Sequence, residues 1–219
     1  MEIGRFILKR IKIVKSCVLQ LIMALHLLLF SLVCIAAEGV IHSWKINPPT
    51  NLKAGDIVFR KGSGVWTKYF INASSRERRF SHVGIVVSNS FPRIIILHAD
   101  ANDFTGVGRV RLEEWDAFFR NASECAVYRY NGDLSCGRLF VERGIEKLGV
   151  PFDWNFNMNS TNSLYCTELV RNVINDGLQT NLVGSTKIYG RRVIAIDDIY
   201  YKGFKKIFDS KTDIVEISP

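Results

Sequence analysis

The order of its predicted elements makes this an α+β protein, in which an antiparallel sheet is packed against helices. Three observations carry that expectation. The runs DIVFR at 56–60, HVGIVV at 82–87 and RIIILHA at 93–99 are short, rich in β-branched residues and separated by turn or polar segments. A further run, CAVYRY at 125–130, stands between polar segments. Two stretches with helical spacing, 135–148 and 164–174, follow the strands rather than alternating with them.

Each element has a local reason. The first strand leaves the turn Ala54–Gly55. Residues 61–80 are polar and basic, carry Trp66, Tyr69 and Phe70, and read as a loop or short helix. Residues 82–87 and 93–99 form a hairpin about a turn at 89–92. Residues 112–120 read as a helix with Glu113 and Glu114 in its first turn, where carboxylates suit the macrodipole. The helix over 135–148 stops at Gly149 and Pro151. A polar, aromatic loop over 151–163 leads into the helix over 164–174, which ends near Gly177. A last strand is expected within 191–199 and a loose tail from 206. There is no repeat and no low-complexity stretch.

The chain has 219 residues, 47% of them hydrophobic, with only five prolines. That suits one folded domain and excludes disordered and collagen-like chains. The net charge is +8, but five basic residues and one acid lie in the first 37 positions. Residues 38–219 therefore carry only +4, too little to suggest nucleic acid as a partner. The run from Cys17 to Ala37 has no formal charge, with basic residues before it and Glu38 after. It reads either as a cleaved secretory signal ending at Ala36–Ala37 or as an uncleaved membrane anchor. Both readings leave the N-terminus cytoplasmic at first and export the rest, to the periplasm or another extracytoplasmic site, free or anchored to the inner membrane. Residues 38–50 form a connector ending in Pro48–Pro49.

Of five cysteines, Cys17 and Cys34 belong to the leader, which leaves Cys125, Cys136 and Cys166. Cys125 and Cys136 are either bridged across the loop at Asn131–Gly132 or two buried thiols. A hairpin centred on position 90 sets His82 directly opposite His98, with Cβ atoms ~5 Å apart. Gly84, on the same face as His82, leaves space there for another group or a substrate. Cys166 opens an apolar-periodic helix and is either a buried structural thiol or a nucleophile whose pKa the macrodipole lowers. A nearby imidazole takes the thiol proton and returns it to a leaving group, and a second histidine holds the first in its tautomer. One cysteine with two histidines also matches a zinc set, but the spacing is not that of a metal motif. Trp66, Tyr69, Phe70, Phe152, Trp154 and Phe156 either line an apolar pocket for an acyl chain or cap the core. Arg76, Arg78 and Arg79 precede the His82 strand and form a positive cluster suited to an anionic headgroup or polymer. The sequons at Asn72, Asn121 and Asn159 are read as chance.

The series GDIVFR (55–60), FSHVGIVV (80–87), IIILHA (94–99), LEEW (112–115), GVPFDWNFN (149–157), LYCTELV (164–170) and VIAIDDIY (193–200) resembles a known family. It is similar to the circularly permuted papain-like hydrolases of the NlpC superfamily, the YiiX/YaeF-like (YebB-like) group, over roughly residues 51–205. The resemblance implies a papain-like α+β fold, with an antiparallel sheet or barrel against helices and the His motif before the Cys motif. It implies that residues 51–205 are the catalytic domain and 206–219 a tail. It implies Cys166 as nucleophile, His82 as general base and His98 as third member, where many relatives carry Glu. Tyr165 would offer its hydroxyl to the oxyanion or pack under the sheet. Glu168 and Asp56 match family positions and are read as structural. The implied activity is a hydrolase or amidase without cofactor or metal, acting on amide or ester bonds of cell-envelope peptides or lipid-linked molecules. The permuted order also resembles acyltransferases of the lecithin:retinol type. A lipid- or peptide-binding module without turnover is a further alternative, though it has no need of all three residues.

Overall fold

In the computed structural model, the described residues are 46–90, 93–188 and 190–213. The predicted leader at 1–37 lies outside them. No helix among the described residues is long and apolar enough to cross a membrane.

The sheet is built around β1 (Ile57–Lys61), whose residues alternate sides and are buried on both. Ile57 and Phe59 face one core, while Val58 faces the other. That is why the segment reads as an unbroken apolar run rather than as alternation. β1 pairs antiparallel with β2 (His82–Ser88) and β5 (Glu124–Tyr130). β3 (Ile95–Ala101) and β4 (Gly108–Glu114) extend the sheet beyond β2, and β8 (Phe204–Asp209) extends it beyond β5. The order is β4-β3-β2-β1-β5-β8, an open six-stranded sheet with two edges and not a barrel. β6 (Thr186–Ile188) and β7 (Arg191–Val193) form a separate hairpin.

Two helices cover one face. α3 (Cys136–Ile145) and α4 (Cys166–Leu178) bring Phe140, Leu169, Val170, Val173 and Ile174 onto the side bearing Ile57, Val83 and Leu97. The opposite face is closed by the short α2 (Trp115–Phe118), whose Trp115 and Phe118 meet Val58, Val86 and Ile96. α1 (Thr67–Ala73) and α5 (Ile196–Tyr200) complete the described elements. The turn before β1 requires glycine. Gly55 has φ +87, and a Cβ there would lie 2.2 Å from the Cα of Gly137 at the start of α3.

Three expectations are corrected, and one choice left open for the cysteines is settled. Residues 112–114 end strand β4, and the helix there is only Trp115–Phe118. β4 is an edge strand with only Val110 buried, so its charged sequence GRVRLEE carries little strand signal. The segment 191–199 is a strand followed by α5, with Asp197 and Asp198 in the helix's first turn. The tail is not loose from 206: Phe204–Asp209 adds the last strand to the sheet. Cys125, Cys136 and Cys166 are all free thiols, so 125 and 136 are not bridged.

The arginine cluster is only partly free. Arg79 is held by Glu124 at 2.6 Å and by Asp209, tying the loop before β2 to β5 and β8. Arg76 lies 3.5 Å from Asp198 and over the ring of Tyr201.

Candidate active site

Cys166 is the first residue of α4. Its position is held by the residues on either side. The Tyr165 hydroxyl accepts the Ile194 amide at 3.0 Å, and the Thr167 hydroxyl donates to the Ile194 carbonyl at 2.8 Å. Both bonds are buried, so the start of the helix is clamped to one backbone unit of the following segment. The backbone N–H groups of Thr167 and Val83 face the sulfur. Burial nevertheless dominates, followed by the repulsion of Asp100, and the thiol is pushed up to about 12. This reverses the lowered pKa expected from the macrodipole alone.

His82 opens β2, where it faces Arg60 across the β1 ladder. Its Nε2 lies 2.9 Å from His98 Nδ1, and the two rings stand at 89°. The expected juxtaposition is therefore present, but through a different register. Ile85 faces Leu97 and Val86 faces Ile96, two residues from the pairing assumed for a turn centred on 90. A shift of two preserves the face, so the histidines meet on a diagonal instead of directly. A bulge between Val86 and Ser88 accompanies the turn. Phe118 covers both rings, with its centroid 5.5 Å from that of His82 and 5.0 Å from that of His98. The space beside Gly84 is filled by this packing. A Cβ there would meet Ile96 Cγ2 at 2.5 Å, the Leu97 carbonyl at 3.0 Å and Phe118 at 3.3 Å. It is not open to substrate.

Burial, then Arg60, then the neighbouring His98 hold His82 well below the ordinary histidine value. His98 is fully buried and also lowered, mainly by burial, against the opposing pull of Glu113 and Asp100. The resting site thus holds a neutral thiol and neutral imidazoles. Because His98 occupies Nε2 of His82, Nδ1 is the ring nitrogen not engaged by that contact.

Cys166 and His82 line one cavity of about 360 Å³, together with Arg60, Ser81 and Asp100. Its other wall is aromatic: Trp66, Phe70, Phe152, Trp154 and Phe156. Tyr69 is not part of that wall and stacks on Phe156. Tyr165 does not line the cavity either. It is fully buried and spends its hydroxyl on Ile194, which agrees with the packing reading and not with a place at the oxyanion. Glu168 and Asp56 have structural places. Glu168 is buried in the first turn of α4 and accepts the Tyr165 amide, with its carboxyl raised to about 7 by burial. Asp56 pairs with Arg129 at 2.7 Å.

Three groups at the site escaped sequence reasoning. Arg60 closes the ladder opposite His82, and its guanidinium lies over Phe118. Asp100 lies 4.0 Å from Arg60 and 2.9 Å from Arg111. Glu113 reaches His98 from β4. The alternation of Arg109, Arg111 and Glu113 was the available signal, since it puts charges on one side of a strand.

Residues 51–206 match the family described as permuted papain-like amidase enzymes, YaeF/YiiX, C92. The chain belongs to that family. A crystal structure of yiiX from Escherichia coli O157:H7, described as a metalloprotein, is similar in fold, with a TM-score of 0.57 and 16% identity. The match covers 71% of this chain and 96% of that one. No curated protein matches the sequence. Among the described residues of this family member, no group of three or more His, Cys, Asp or Glu is gathered to hold a metal ion. His82 Nε2 and His98 Nδ1 face each other, and His98 Nε2 faces Glu113.

Proposed function

We propose that this permuted papain-like amidase is a thiol hydrolase with Cys166 as nucleophile, His82 as general base and acid, and His98 as the group that orients His82. The observation that supports this most is the 2.9 Å bond between His82 and His98 beside a cavity that Cys166 also lines.

The reaction follows from the neutral resting state. When a carbonyl carbon approaches Sγ, the thiol proton moves to His82 Nδ1 as the S–C bond forms. The carbonyl oxygen gains the negative charge, and the backbone N–H at the start of α4 is the donor for it. The intermediate collapses by breaking the C–N or C–O bond, and His82 gives its proton to the departing amine or alcohol. Water, deprotonated by His82, then releases the acid from the thioester. No cofactor is required.

The aromatic wall favours a substrate with an apolar acyl part. Cell-envelope peptides and lipid-linked amides or esters are the substrate classes, met outside the cytoplasmic membrane if the leader at 1–37 exports or anchors the domain.

Alkylation of Cys166 by iodoacetamide at neutral pH tests the mechanism. Alkylation in the native protein is expected to depend on His82, with a His82→Ala variant about 10²-fold slower, the low end of the usual ~10²–10⁴ range for acid–base groups. Equal rates in the two rule the mechanism out. Mass spectrometry of envelope peptides and lipids incubated with native protein and Cys166→Ala identifies the substrate class.

A further inference from the structure

His98 does not end the chain of polar contacts. Its Nε2 lies 3.2 Å from Oε2 of Glu113, which reaches it from the neighbouring strand β4. We propose that Glu113 is a positioning residue for catalysis, a carboxylate that decides the tautomers of both histidines and steadies the positive charge His82 acquires. The proposal rests on the thiol-hydrolase reading above.

The argument is one of donors and acceptors. An ionised carboxylate only accepts hydrogen bonds, so facing Glu113 favours the proton of His98 on Nε2. Nδ1 of His98 is then an acceptor and takes the N–H of His82 Nε2. His82 Nδ1 is left with a lone pair, the form a base needs to receive a thiol proton. Two neutral histidines alone have no such direction, since either could be the donor. Glu113 supplies it.

The carboxylate also supplies charge. Here His98 lies between Glu113 and His82. Glu113 is ionised: its contact with His98 is the first cause holding its carboxyl below the ordinary value, and burial opposes this. The contact is close but not aligned, and His98 Nε2 makes no well-directed hydrogen bond in the resting state. Such contacts tighten when charge develops. The other charged or titratable groups facing the pair are Arg60 on β1, Asp100 on β3 and Arg111 on β4, with Cys166 on α4 acting on Arg60. Arg111 binds Glu113 at 3.1 Å, but it is half-exposed and shared with Asp100, so it screens the carboxylate only partly.

The test is the pH profile of Cys166 alkylation in Glu113→Gln, with the exposed neighbour variant Glu114→Gln as control. Removing the carboxylate charge makes protonation of the histidine pair harder. The acid limb is expected to shift to lower pH and the neutral-pH rate to fall roughly tenfold, the scale of one hydrogen bond to a charged group. Glu114→Gln is expected to match native protein. An unchanged acid limb in Glu113→Gln overturns the proposal, including when the variant only melts at a lower temperature. If His82→Ala is slowed in the same series, the hydrolase reading stands and only the role of Glu113 falls. If His82→Ala is also unaffected, the hydrolase reading itself fails. Nitrogen-15 histidine spectra of the native protein give a second measurement without any variant. His98 is expected as the Nε2–H tautomer, and the Nδ1–H tautomer overturns the proposal.

Discussion

Arg60 and His82 face each other across the β1–β2 ladder, and after burial Arg60 is the strongest influence holding His82 neutral. The same guanidinium favours the Cys166 thiolate. In the proposed mechanism Arg60 would therefore oppose the imidazolium and support the thiolate.

Replacing Arg60 by Met removes a positive charge beside His82, so the histidine pKa is expected to rise. Burial remains, so it stays below its ordinary value. An NMR titration of the His82 ring checks this, and a pKa that falls or does not move contradicts the assignment.

Gly84→Ala is expected to destabilise the protein by about 1–3 kcal/mol, as overpacking does. Ile96 Cγ2 can rotate away from the new methyl, but the Leu97 carbonyl at 3.0 Å is backbone and cannot. Phe118 is displaced with it, so His82-dependent alkylation falls as well. A denaturant melt with unchanged midpoint argues that the site is less tightly packed than described.

Tyr165→Phe leaves the buried Ile194 amide without its acceptor, at a cost of about 1–3 kcal/mol. Turnover of an activated ester should stay within a few-fold of native, because the hydroxyl is outside the cavity. A large loss of turnover at unchanged stability would instead place that hydroxyl on the oxyanion.

Much of this site was legible in the chain. β1, β2, β3 and β5 announced themselves because both their faces are buried, which forces dense runs of apolar and β-branched residues. Cys166 at the start of α4 was readable because a polar loop gives way abruptly to helical periodicity. The meeting of His82 and His98 was foreseen for a partly wrong reason. The assumed register was off by two, and only the parity of the strands kept both rings on one face.

The edges were not legible. β4 and β8 lie at the ends of the sheet, where one side lacks a partner strand and charged residues are tolerated. Glu113 was accordingly read as a helix carboxylate.

By itself, the sequence determined the class of fold, the order of the His and Cys motifs and the meeting of His82 with His98. These depend on local pattern: periodicity, turns and motif residues. Only the tertiary structure decided that Tyr165 points into the core, that Glu113 and Arg60 flank the histidine pair, and that the Cys166 thiol rests protonated. Those depend on which strands become neighbours and how much water is excluded. Burial and long-range pairing are properties of the assembled sheet, and no window of the chain contains them.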